Sequence, residues 1–218
     1  MIKIIKKLLI VKNNITLSRT GFSLVEMLIA VSVFAVIATL ASSMFSTFAN
    51  NQKRTQSSQV LLNNTQYVLE IISREVKNNE IIAFGTGQCS NYLVGANYTK
   101  CLLFVRENNE TAGFVYDSVN NELDYVQLTC SRNNGIYLDC QIASDQTPVI
   151  LLSKDYNKVE ITGLDFILTP TANPYFDDAF NQQPRVTINL LVKYFSTQPI
   201  EQASHHLQTT VSSRVYKR

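Results

Sequence analysis

The sequence predicts an α+β fold: one long N-terminal helix, membrane-spanning in its first half, packed through its second half on an antiparallel β-sheet domain. Three observations predict it. No Pro and no Gly occurs between Phe22 and Phe84, so nothing local stops a helix. No charged residue occurs from Met27 to Gln52, and Met27–Ala41 reads MLIAVSVFAVIATLA. From about Ile81 the apolar residues switch to period two.

The charge distribution sets the orientation. The 218 residues carry a formal net charge of +2. Five of the 19 basic residues (Lys3, Lys6, Lys7, Lys12 and Arg19) precede Gly21 with no acid among them, which leaves 14 bases against 17 acids and a body of −3. A body of that sign offers no footprint for double-stranded DNA, so no nucleic-acid partner is expected. The apolar run is long enough to cross about 30 Å of hydrocarbon as a helix. The basic flank keeps residues 1–21 cytoplasmic and places the rest across the membrane, in contact with lipid. A secretory signal peptide cut near Thr39–Ala41, a plain uncleaved anchor and a buried core helix are the competing readings of this run.

Glu26 separates these readings, because a carboxylate entering a membrane helix needs a partner. The string Thr20-Gly21-Phe22-Ser23-Leu24-Val25-Glu26 couples a small residue, an aromatic, a carboxylate and an apolar helix at fixed spacing. It resembles the N-terminal signal of type IV pilins and type II secretion pseudopilins. The resemblance implies a basic leader, residues 1–21, removed after Gly21 by a prepilin peptidase. It implies N-methylation of the new N-terminus, Phe22. It implies that Glu26 neutralises the terminal amine of a neighbouring subunit as helices bundle. Other pilins or pseudopilins and an inner-membrane assembly platform are the implied partners, and a structural, non-enzymatic subunit of a type IV pilus or type II secretion pseudopilus is the implied function. There is no Pro in the region Ala41–Met44, where major pilins often carry one, which fits a minor subunit. The closing Leu207–Arg214 also resembles the last strand of J-type minor pseudopilins and W-like minor pilins. A pilus-tip binding module for adhesion or DNA uptake is the alternative, and a membrane-anchored extracytoplasmic enzyme a further one.

The predicted helix runs over 22–79, with its transmembrane half at 22–48. In its second half Leu61, Val68 and Ile72 share a line, with Leu62, Leu69 and Val76 beside it, while Asn63, Asn64, Gln66, Ser73 and Lys77 are expected to face water. Residues 80–218 form the extracytoplasmic β domain of the pilin-like fold. Strands are expected at 102–105, 113–116, 125–130, 136–140, 149–152, 159–161, 164–168, 186–193 and 207–215, with turns at Asn120-Asn121, at Asn133–Gly135 and over the Pro-bounded 169–183.

Four cysteines, Cys89, Cys101, Cys130 and Cys140, lie beyond the membrane run, and an even number on that side favours disulfides. Of three connectivities, closeness in sequence favours Cys89–Cys101 and Cys130–Cys140. No CxxC or matching His spacing supports zinc, and no metal site is expected. Asp177 and Asp178, in a loop with Asn173 and Asn181, are the one conceivable calcium position, though the EF-hand spacing is absent. His205 and His206 read as a turn before the last strand. No P-loop, dinucleotide fingerprint or catalytic triad spacing is present. The 10 Tyr and 11 Phe fall mostly within strand patterns, as core or cross-strand residues.

Overall fold

The computed structural model describes residues 21–84, 93, 98–133, 136–143, 146–170 and 183–215. The chain divides into two compact units, the first ending at Phe48 and the second starting at Ala49. Helix α1, Leu24–Asn78, contributes to both. It begins two residues after Phe22, with Ser23 O accepting the first helical bond from Met27 N at 3.1 Å.

In the first unit the helix from Leu24 to Phe48 spans about 37 Å at about 1.5 Å per residue. Its apolar side chains, from Phe34 to Phe45, are exposed around the whole circumference. The hydroxyls of Ser32, Thr39, Ser42, Ser43 and Thr47 each donate to a carbonyl three or four residues back at 2.8–3.0 Å. Such bonds satisfy a hydroxyl without water, as a hydrocarbon surrounding requires. This is one helix long and apolar enough to cross a membrane.

The second unit is built on two antiparallel sheets. The larger runs in the order β1 (Glu80–Phe84), β2 (Tyr98–Val105), β3 (Thr111–Asp117), β4 (Glu122–Asn133) and β5 (Ile136–Ile142), with β6 (Val149–Leu152) also paired to β4. The smaller holds β7 (Val159–Thr169), β8 (Arg185–Tyr194) and β9 (Ser204–Ser212). The sequence pointed to one sheet; the division has a simple cause. β4 is 12 residues long, and its free side is shared end to end by β5, opposite Leu128–Asn133, and β6, opposite Leu123–Tyr125. No ladder on that side is left for β7, which starts a sheet of its own.

Turn chemistry follows the sequence. Asn109 and Asn121 adopt the left-handed region (φ 63° and 56°) in the β2–β3 and β3–β4 hairpins, a conformation Asn tolerates better than most residues. The two predicted strands at 159–161 and 164–168 are one strand: β7 continues through a bulge between Ile161 and Gly163. The last strand covers 204–212 instead of 207–215, because the ladder with β8 runs unbroken from Lys193↔Ser204 to Arg185↔Ser212. His205 and His206 therefore lie in strand, opposite Val192 and Leu191, and not in a turn. The His205 ring closes a 2.9 Å hydrogen bond to Ser58 Oγ of α1.

One core joins the helix to both sheets. Leu61, Val68, Ile72 and Val76 of α1 are essentially inaccessible and pack with Phe104 and Phe114 of the large sheet and with Ile161, Ile188 and Leu190 of the small one. Each such side chain contributes about 2 kcal/mol by burial. The Phe104 and Phe114 rings meet at 5.7 Å, tilted by 43°. Leu62, Asn64 and Ser73 are half-buried, so the packed stripe is wider than the sequence pattern implied. A second cluster covers the opposite face of the large sheet: Cys101, Leu103, Val115, Val126, Leu128 and Cys140, with Leu93 bridging to Cys140.

Candidate functional site

The candidate site is the segment 21–26 at the head of α1. Gly21 precedes the helix, and among the described residues a Cβ added there meets nothing within 4 Å. Phe22 is 76% exposed. Glu26 occupies the first turn of α1, where the unpaired N–H groups of a helix start favour a carboxylate. It is exposed and makes no ion pair among the described residues. Thus six consecutive residues present a small residue, an exposed aromatic and a lone carboxylate at the mouth of an exposed apolar helix. A carboxylate in that setting is stable in lipid only once a cation meets it. Residues 1–20 of the predicted leader lie outside the described residues.

The cysteines fall as follows. Cys130 and Cys140 form a disulfide across the β4–β5 hairpin. Cys101 is also disulfide-bonded and fully buried in the second cluster, while Cys89 lies outside the described residues. Asp177 and Asp178 lie outside them too. Among the described residues no group of three His, Cys, Asp or Glu side chains could hold a metal ion.

Two polar arrangements in the β domain have no counterpart in the sequence reading. Glu75, near the end of α1, accepts from Arg106 Nη2 at 2.9 Å, and the same nitrogen donates to Tyr125 Oη at 2.6 Å. Asn79 Nδ2 donates to the other Glu75 oxygen at 2.7 Å. Burial alone would lower the Arg106 pKa, but the bond to Glu75 and the neighbouring Tyr125 raise it overall. This network fastens the last turn of α1 to the large sheet. Its members are 19 and 31 residues apart, beyond any local motif.

The second arrangement is Asp124 of β4. It is 6% exposed, and its Oδ1 has no hydrogen-bond partner among the described residues. Burial, then Glu122, then Asp117 push its pKa up to about 6. Burial and the same two aspartates, Asp124 and Asp117, also raise Tyr98.

A family model described as the prokaryotic N-terminal methylation motif matches residues 17–42, a stretch that contains Gly21, Phe22 and Glu26. No curated protein and no solved structure matches the chain. The N-terminal segment is thus similar to a prepilin-type processing signal, followed by an apolar helix suited to anchoring in a membrane.

Proposed function

We propose that this chain is a minor pilin or pseudopilin, a structural subunit and not an enzyme. One observation carries the reading: within a stretch matching the methylation motif, Gly21, Phe22 and Glu26 stand at the head of an apolar helix that the protein itself leaves uncovered. In this reading a prepilin peptidase of the inner membrane cuts after Gly21 and methylates the amine of Phe22. The subunit waits in the membrane through residues 22–48, its β domain (80–218) on the far side. An assembly platform then moves it into a fibre of like helices. There Glu26 pairs with the N-terminal amine of a neighbour, which gives a carboxylate in an apolar bundle the opposite charge it needs and fixes the axial register. The closing strand's likeness to J-type and W-like members favours a place among the minor subunits.

The test is the intact mass of the mature chain, co-expressed with a prepilin peptidase. The expected start is N-methylated Phe22. A start near Ser42 would make the segment an ordinary secretory signal, and an uncut Met1 would leave a plain anchor; either overturns the proposal. In the same experiment Gly21→Val is expected to abolish the cut, since a bulky side chain replaces the small one at the cleavage position.

A further inference from the structure

The end of the β domain nearest the apolar segment in sequence contains a pocket of about 270 Å³. Lys53 of α1 and Lys158, at the entry to β7, both line it, with Ser57, Tyr194 and Glu201. Neither lysine makes an ion pair or side-chain hydrogen bond among the described residues. The acid opposite them is already engaged, as Glu201 Oε2 accepts from Ser196 Oγ at 2.7 Å. Two lysines against one carboxylate leave the pocket with a charge of +1. Lys158 is held in place: its φ is 58° and its carbonyl accepts from Phe195 N at 2.8 Å. Next in sequence to the lining residues Tyr194 and Glu201 stand two exposed apolar side chains, Phe195 at 42% and Ile200 at 41% exposure.

Chain length fixes how far this pocket can be from the bilayer. Lys53 follows Phe48, the last large apolar residue of the membrane run, by five residues. Five residues in any conformation reach at most about 18 Å. The headgroup zone outside each hydrocarbon face is several ångströms thick. A cationic pocket whose lining residues adjoin an exposed aromatic and an exposed aliphatic residue in sequence, tethered within that length, has the composition of a membrane-interface contact: cations for phosphate, apolar tips for the acyl boundary.

We propose that this pocket binds the phosphate of an anionic phospholipid headgroup and so docks the β domain on the membrane surface before assembly. Lys53 and Lys158 contact the phosphate, and Phe195 and Ile200 enter the interface beside it. The proposal rests on the membrane-anchored reading of residues 22–48.

The sequence contains no Trp, so a single one reports cleanly. The full-length chain carrying Phe195→Trp is reconstituted into vesicles of phosphatidylcholine alone or with about 30% phosphatidylglycerol, each with brominated acyl chains as quencher. Quenching and a blue shift are expected with phosphatidylglycerol and largely absent without it. Each lysine near an anionic surface is worth about fivefold in binding, so Lys53→Gln with Lys158→Gln is expected to weaken docking by about 25-fold. The probe Tyr67→Trp, 65% exposed and 14 residues beyond Lys53, is expected to stay unquenched throughout. A separate probe, Phe34→Trp, tests the anchor: if it escapes quenching, the anchored reading itself fails. If Phe34→Trp is quenched and Phe195→Trp is not, the pocket proposal alone fails. Equal quenching of Phe195→Trp in both vesicles, or no effect of the lysine pair, would also overturn it. Release by inorganic phosphate at constant ionic strength would assign the pocket to a free anion and overturn the lipid assignment.

Discussion

Replacing Asp124 by Asn is expected to stabilise the β domain at neutral pH and to do nothing in acid. The folded protein raises the Asp124 pKa from 3.8 to about 6. About two units at 1.36 kcal/mol each set an upper limit of about 3 kcal/mol on the cost of the ionised form. Effective screening inside a protein reduces this limit, and the expected cost is about 2 kcal/mol. The sign follows from linkage. The native state binds this proton more tightly than the unfolded state, so the stability is whole below about pH 4 and is lost as pH rises through about 6. Asp124→Asn cannot ionise and escapes the loss, and it also relieves the repulsion with Glu122 and Asp117. Urea unfolding of the full chain in non-ionic detergent, followed by tyrosine emission, measures both proteins from about pH 4 to pH 8. The curves are expected to coincide at the acid end and separate by about 2 kcal/mol above pH 6. A gap that does not change with pH, or an Asn variant less stable at neutral pH, would refute the reasoning.

Three further outcomes are expected. Gly113→Ala should destabilise the domain by about 2 kcal/mol or more in the same unfolding assay, because its Cβ would sit 2.9 Å from Leu102 O and press on Leu103 in the paired strand; an unchanged midpoint would contradict this. Removing the hairpin disulfide with Cys130→Ala and Cys140→Ala leaves its loop of 10 residues open in the unfolded chain and should cost about 3 kcal/mol, read against the oxidised parent in the same unfolding assay. Glu26→Ala should leave the mature mass consistent with normal cleavage while fibre incorporation, scored by immunoblot of sheared filaments, falls sharply; normal incorporation would remove the carboxylate from the assembly mechanism.

What the sequence revealed well was whatever repeats at short range. The absence of Pro and Gly from 22 to 84 and the change of period near Ile81 located α1 and its end to within a residue or so. The line Leu61, Val68, Ile72 appears in the structure as the inaccessible stripe of α1. The hairpins announced by Asn120-Asn121 and by the Cys130–Cys140 spacing are both present. The candidate site was legible for the same reason: Gly21, Phe22 and Glu26 lie within six residues, so their relation needs no tertiary contact. The bulge between Ile161 and Gly163 divides one strand into two in the sequence pattern, because a bulge interrupts alternation without ending a strand.

What stayed hidden depends on layers. The string Glu122-Leu123-Asp124 alternates polar and apolar, and by itself assigns Asp124 to a solvated face. That assignment assumes a sheet with one wet side. The burial of β2 and β3 contradicts the assumption: Leu102, Leu103 and Phe104 are consecutive and all inaccessible, as are Phe114 and Val115. Neighbours on a strand point to opposite faces, so consecutive burial means that both faces are covered. One cover is α1; the other includes Leu93, brought back against Cys140 from the β1–β2 connection. The apolar run Leu102–Val105 carried this signal, since a strand with one wet face would have alternated. Asp124 shares its face of β4 with Val126 and Leu128 of the second cluster and pairs with Val115 of β3, so it lies under the second cover, and its raised pKa reflects what that cover costs a carboxylate.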